Sequence, residues 1–209
     1  MLIKICGITQ KEEIEALNIL KPDFIGFVFA ESKRKIEPKE ARILFDNLEK
    51  DIKGIGVFRN NSKEFILDVL DKVPLFAIQL HGDEDEEFIL DLKKKVNCEI
   101  WKAVSIKSRE DMESAFNYPV ETLVLDGSIP GSGELFPWEY LKDIKFTKRV
   151  FLAGGIKEEN VLDAIVRVKP HGIDLSSGVE VINEEGIRIK SKEKMKKLIN
   201  KVRENYATY

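Results

Sequence analysis

The chain has few of the residues that build metal centres and cross-links. Its 209 residues include two cysteines, Cys6 and Cys98, and two histidines, His81 and His171. Two cysteines make neither a disulfide framework nor a zinc site, and no cluster has metal-ligand spacing, so reduced thiols in a cytoplasmic protein without a metal are expected. Nowhere do about 18 apolar residues run unbroken, which argues against a membrane-spanning helix. The opening MLIKICGIT turns polar too early to read as a signal peptide. Basic charge is not in excess: Lys+Arg is 34 against Asp+Glu 37, for a net charge of −3, which argues against a nucleic-acid partner. Glutamine is nearly missing, with only Gln10 and Gln79 against 26 Lys and 24 Glu. That Lys/Glu bias is a pattern of thermophile proteins. No Pro/Gly/Ser linker, low-complexity tract or Walker loop interrupts the chain, so one domain over residues 1–209 is expected.

What is there alternates. Short apolar runs at Leu2–Cys6, Phe24–Phe29, Gly54–Phe58, Leu75–Leu80, Ile100–Val104, Thr122–Leu125, Val150–Ala153 and Gly172–Leu175 read as strands. Amphipathic stretches near 10–20, 38–49, 62–72, 84–96, 108–116, 137–143, 157–168 and 191–204 read as helices. Pro38 suits a first helical turn, and Ser62 suits an N-cap without a capping box. The basic run from Lys190 to Lys201 reads as the outer face of the last helix. Strands alternating with helices imply a parallel sheet. Eight units of roughly 26 residues suggest a near-minimal (β/α)8 barrel. The alternative is a doubly wound open sheet, but no GxGxxG follows the first strand.

A barrel keeps its chemistry at the C-terminal ends of its strands. Strand 1 ends in Cys6-Gly7-Ile8-Thr9. Lys4 shares a face with Cys6, about 6.6 Å away along the strand, and is expected to lower its pKa. A thiolate there would serve as base or nucleophile; an inert buried cysteine is the alternative. The loop after strand 2 carries Lys33, Arg34 and Lys35, and a guanidinium there suits a carboxylate or an aromatic ring. His81 ends strand 4 as a candidate substrate contact or acid–base group, or else a structural histidine. Asp126 ends strand 6, where proton donation and capping of the next loop are both open. Gly154-Gly155 follow strand 7 and Ser177-Gly178 follow strand 8. Backbone N–H groups at those two positions are where barrels bind phosphate, so a phosphorylated small molecule is the expected ligand. Cys98 and His171 precede strands and fall at the opposite end.

Taken in order, these segments resemble the phosphoribosylanthranilate isomerase family. The resemblance rests on KICGIT (4–9), GFVF (26–29) with Ser32-Lys33-Arg34, GVF (56–58), QLHG (79–82), Asp126 with Gly131-Ser132-Gly133, Phe136 with Trp138, LAGGI (152–156) and GIDLSSGVE (172–180). It implies a (β/α)8 barrel and an Amadori rearrangement of an aminoaldose to an aminoketose that needs no cofactor. By the same resemblance Cys6 is the general base, Asp126 the general acid, Arg34 the anthranilate-binding residue and Asp174 a positioning group. Gly154, Gly155, Ser177 and Gly178 become the phosphate cradle, and the protein a monomer or homodimer. Pro130 and Pro137 depart from the family pattern, which bears on the geometry of the sixth loop. Related barrel enzymes differ at these positions: the epimerases need metal-binding histidines, and the histidine-pathway isomerase has aspartate where this chain has Cys6. A barrel that binds a phosphorylated ligand without turnover would have no reason to keep both Cys6 and Asp126.

Overall fold

The structure is a computed structural model that describes residues 1–127, 138–141 and 144–206. Eight parallel strands close into a barrel in chain order: β1 (Leu2–Cys6), β2 (Phe24–Val28), β3 (Lys53–Phe58), β4 (Ala77–Leu80), β5 (Glu99–Ser105), β6 (Thr122–Asp126), β7 (Arg149–Leu152) and β8 (Gly172–Leu175). Closure is made by β1 against β8, with Lys4 opposite Asp174. The fold is a (β/α)8 barrel, as the alternation of the sequence requires.

The helices α1 (Lys11–Leu20), α2 (Pro38–Asp46), α3 (Lys63–Lys72), α4 (Glu86–Lys93), α5 (Arg109–Ala115), α6 (Val161–Val168) and α7 (Lys192–Asn205) cover the barrel. Local chemistry sets their starts. Pro38 opens α2, and Ser62 Oγ accepts from Phe65 N–H at the head of α3. Asp85, Ser108 and Ser191 cap α4, α5 and α7 in the same manner. Helix α7 buries Met195, Leu198, Ile199 and Val202, an i, i+3, i+4, i+7 stripe. Among the described residues no helix is long and apolar enough to cross a membrane.

Two local expectations are corrected. Within the stretch 137–143 the described residues, Trp138–Leu141, form a 3-10 turn rather than an α-helix. Its buried residues, Trp138 and Leu141, are spaced i, i+3, which suits three residues per turn and gives no wider stripe. Between β8 and α7 the chain forms an antiparallel hairpin, β9 (Glu180–Ile182) with β10 (Arg188–Lys190). Asn183 Oδ1 accepts from the N–H groups of Glu185 and Ile187, and Gly186 takes φ +78° to complete the turn. Lys190 therefore belongs to a strand and is buried, not part of the outer face of the last helix.

Alternation along the strands sorts side chains between the lumen and the helix layer. In the lower lumen Phe24, Ile55, Ala77, Trp101, Val124 and Phe151 pack together. The ring centroids of Phe24 and Trp101 lie 5.2 Å apart, and those of Trp101 and Phe151 4.9 Å. Two residues further along the strands come smaller and polar groups, and these build the site.

Candidate active site

The inward residues of β1 are Leu2, Lys4 and Cys6, so one strand runs from apolar floor through an ammonium to a thiol. Lys4 is fully buried, and its Nζ lies 2.7 Å from Asp174 Oδ2 on β8. Burial alone would pull the Lys4 pKa down; the Asp174 carboxylate outweighs it and holds the ammonium charged. Cys6 sits one pleat above. Its neighbour across the β1–β2 ladder is Gly26, where a Cβ would lie 2.7 Å from Cys6 Sγ. The glycine is what leaves room for the thiol.

The expected depression of the Cys6 pKa is not found. Burial pushes the thiol above the ordinary range, and Asp174 adds to this, while Lys4 and Lys190 pull it down without prevailing. Burial is the larger cause, and the Asp174 carboxylate beside Lys4 offsets part of the ammonium's pull.

Across the lumen Asp126 ends β6. Its Oδ1 accepts from Gly127 N–H at 2.8 Å, so the carboxylate does turn back on its loop. Its Oδ2 faces His81 Nε2 at 3.3 Å without the alignment of a hydrogen bond. Gly154, at φ +73°, passes so close that a Cβ there would lie 2.7 Å from Asp126 Oδ1. Gly155 is also left-handed, and its carbonyl accepts from Asn160 Nδ2. Gly178 packs directly on the Ile156 carbonyl, leaving no space for a side chain. The loops after β7 and β8 thus touch through backbone.

Arg34 reaches in from the loop after β2. Its alkyl chain crosses Gly7, which has φ +86° and no room for a Cβ beside Arg34 Cδ. Its Nε and Nη2 donate to the two oxygens of Glu180 on β9, at 2.6 and 3.0 Å. Lys190 Nζ and Arg188 Nη1 also reach Glu180, at 2.6 and 3.1 Å. Burial would raise the Glu180 pKa, but Arg34 and Lys190 overrule it and bring it down to about 2. Lys190 further donates to the Ser176 carbonyl, and Ser176 Oγ donates to the Cys6 carbonyl at 3.1 Å. The hairpin therefore anchors the arginine and braces the end of β1.

Cys6, Arg34, His81, Asp126, Gly154, Gly155, Asp174 and Ser177 all line one cavity of about 160 Å³. Gly178 stands behind that wall rather than on it. Pro130, Gly131, Ser132, Gly133, Phe136 and Pro137 lie outside the described residues. Cys98 and His171 lie away from the cavity, as their places before β5 and β8 imply; His171 Nδ1 accepts from Val150 N–H. Three buried atoms among the lining residues have no hydrogen-bond partner among the described residues: Gln79 Oε1, His81 Nε2 and Asp174 Oδ1. Buried polar atoms are seldom left so outside binding sites.

Sequence reasoning gave no role to Glu180, Lys190, Gln79, Ser176 or Arg59, all of which line or brace the cavity. For Glu180 and Lys190 the available signal was the alternation of 180–190 around the Asn183 and Gly186 turn residues.

Comparison with known proteins accords with this arrangement. Residues 3–201 match the family described as N-(5'-phosphoribosyl)anthranilate (PRA) isomerase. An N-(5'-phosphoribosyl)anthranilate isomerase of Clostridium beijerinckii is 48% identical, with 96% of each chain covered. That of Acetivibrio thermocellus is 41% identical over 97% of this chain and 95% of its own. Among solved structures, phosphoribosyl anthranilate isomerase from Thermotoga maritima superposes with a TM-score of 0.87 at 36% identity, covering 98% of this chain and all of that one. A phosphoribosyl anthranilate isomerase in complex with reduced 1-(o-carboxyphenylamino)-1-deoxyribulose 5-phosphate gives 0.80 at 35% identity, over 96% and 97% of the two chains. This chain belongs to the phosphoribosylanthranilate isomerase family.

Proposed function

We propose that the chain converts N-(5'-phosphoribosyl)anthranilate into 1-(2-carboxyphenylamino)-1-deoxyribulose 5-phosphate, a step of tryptophan biosynthesis, by acid–base catalysis between Asp126 and Cys6. The observation that carries the reading is that these two groups end β1 and β6, on different sides of one cavity whose third side is the Gly154–Gly155 and Ser177 backbone. The phosphate docks on those loops and fixes the sugar. Asp126 delivers a proton to the ribose ring oxygen; the C1–O bond breaks and the amine nitrogen forms a Schiff base with C1. The Cys6 thiolate removes the C2 proton, giving the enolamine. Reprotonation at C1 and loss of the enol proton give the ketone, so the net change is an isomerisation with every proton accounted for. Asp174, with Oδ1 free toward the cavity, accepts from a sugar hydroxyl or the amine. His81 faces Asp126 and contacts the substrate, and Arg34 meets the anthranilate ring.

A thiol held above its ordinary range sets the pH dependence. The base is competent only as thiolate, so kcat/KM should climb with pH and level off above the free-cysteine value of about 8.5. Residues 1–209 act as one domain, in the cytoplasm, as a monomer or homodimer, without nucleic acid, metal or cofactor. The Lys/Glu bias supports work at raised temperature.

The test is a fluorescence assay on freshly prepared phosphoribosylanthranilate, with chelator, at moderate and high temperature. Disappearance of the substrate signal with formation of the aminoketose is expected. Absence of turnover at both temperatures would overturn the reading.

A further inference from the structure

Behind the cavity wall lies a buried ion pair that this mechanism leaves without a task. Lys102 on β5 alternates with Trp101 and Ala103, which face the lumen, so its side chain enters the layer between barrel and helices. There its Nζ lies 2.9 Å from Oε2 of Glu84, in the loop after β4, and both residues are buried. Such a pair is a poor source of stability, because desolvating two charges offsets their attraction and apolar replacements are often neutral. Its use lies in what it holds.

What it holds is Gly82. The Gly82 N–H donates to Glu84 Oε2 at 2.9 Å, and the Gly82 carbonyl accepts from Lys102 Nζ at 2.6 Å. The other carboxylate oxygen, Glu84 Oε1, accepts from Asn60 N–H at 2.7 Å, and Asn60 Oδ1 accepts from Asp83 N–H at 2.7 Å. The fit is close: a Cβ on Gly82 would run into Asn60 Oδ1. One ion pair thus grips both backbone groups of Gly82 and ties the loops after β3 and β4 together.

Gly82 directly follows His81. The His81 N–H donates to the Phe58 carbonyl at 2.7 Å, so the backbone on both sides of the imidazole is fixed. The ring itself brings Nε2 to 3.3 Å from Asp126 Oδ2, while Asp126 Oδ1 is tied to Gly127 N–H. One oxygen of the acid is therefore set by its own loop, and the other is fronted by His81. Where His81 stands decides where the proton of Asp126 points, and a misplacement of about 1 Å can cost ~10²-fold in rate.

We propose that Glu84 and Lys102 are positioning residues for the isomerisation: by gripping Gly82 they hold His81 against Asp126 and so aim the general acid at the ring oxygen. This rests on the isomerase reading above. The test is the kinetics of the double variant Glu84→Gln with Lys102→Met, which removes both buried charges at once, beside wild type, His81→Ala and the combination of all three substitutions. In the double variant kcat should fall about 10–100-fold, with a much smaller loss of calorimetric affinity for the reduced aminoketose phosphate. In the His81→Ala background the same two substitutions should cost nothing further, because their effect passes through His81. An unchanged kcat in the double variant would overturn the proposal. So would an equal loss in both backgrounds, or an affinity that falls as far as kcat, since either marks a general loosening of the site. Should the double variant fail to fold, Glu84→Asp carries the test: it keeps both charges but draws the carboxylate back from Gly82. The same loss of kcat and the same dependence on His81 are expected, and a wild-type kcat in Glu84→Asp would overturn the proposal. Absence of turnover in the wild type would remove the isomerase reading and this inference with it; wild-type turnover with indifferent variants removes the inference alone.

Discussion

The two halves of the barrel lumen are made from the same strands and obey opposite rules. The lower half is filled by Phe24, Trp101 and Phe151, rings in mutual contact with Ile55 and Val124 between them. There the polar requirement is met at the margin, where the Trp101 indole N–H donates to Glu99 and Glu99 pairs with Arg149. One pleat higher the lumen residues are Lys4, Cys6, Gly26, Gln79, Asp126 and Asp174, with charged groups buried and three polar atoms of the cavity lining unpartnered among the described residues. The lower layer closes the barrel and contributes stability. The upper layer gives up packing so that thiol and carboxylates can face one space.

That division can be broken from either side. Cys6→Ala and Asp126→Asn should each lower kcat by about 10²–10⁴-fold, the usual worth of a positioned acid or base, with little change in Tm. A wild-type rate in either variant would remove its assigned role. Trp101→Ala should do the reverse, costing about 3–5 kcal/mol in denaturant unfolding while kcat of the folded fraction is kept. A large loss of kcat with unchanged stability would show the layers to be coupled. Asp174→Asn crosses the boundary. It strands the buried Lys4 ammonium, for about 3–5 kcal/mol, and it also frees that charge to act on Cys6. The rising limb of the kcat/KM profile should therefore move to lower pH. A limb that stays in place would mean that Cys6 does not set it.

The smallest effect is expected at the rim. Glu180 has its folded pKa at about 2, below its unfolded value of about 4.3. Its contribution is present above the unfolded pKa and fades as pH falls toward about 2. The stability gap between wild type and Glu180→Gln should therefore be fully open at pH 6 and narrow through that window, as measured by thermal unfolding across pH. A gap constant with pH would mean that Glu180 acts by packing alone.

What could be read from the sequence follows the same layering. Strand runs such as Leu2–Cys6 and Thr122–Leu125 are buried on both faces and read as mostly apolar segments, so the barrel was legible. Cys6, Asp126 and the glycines after β7 and β8 were legible because they end such runs. The Cys6 titration was not: spacing puts Lys4 beside Cys6, but only closure of β1 on β8 brings Asp174 to take up its charge. Glu180 was quoted within GIDLSSGVE but given no role, because Arg34, Arg188 and Lys190 meet it only in the folded hairpin. Arg59 was hidden because an arginine beside two asparagines reads as an ordinary solvated loop. Site residues set by one strand are visible in order; those set by closure are not.

Closure has a consequence for how the protein comes into being. Lys4 meets Asp174, and Cys6 meets Ser176, across 170 residues of chain. The thiol's surroundings therefore do not exist until the last strand and its hairpin have been made. A nascent chain can lay down β1 to β6 and their helices while Cys6 still sits on an open edge and Lys4 is unpaired. Contacts of such separation are slow to form, because the intervening loop must close before they give anything back. Catalytic competence should thus be the last property this barrel acquires in folding, and the first it loses when the β1–β8 seam opens.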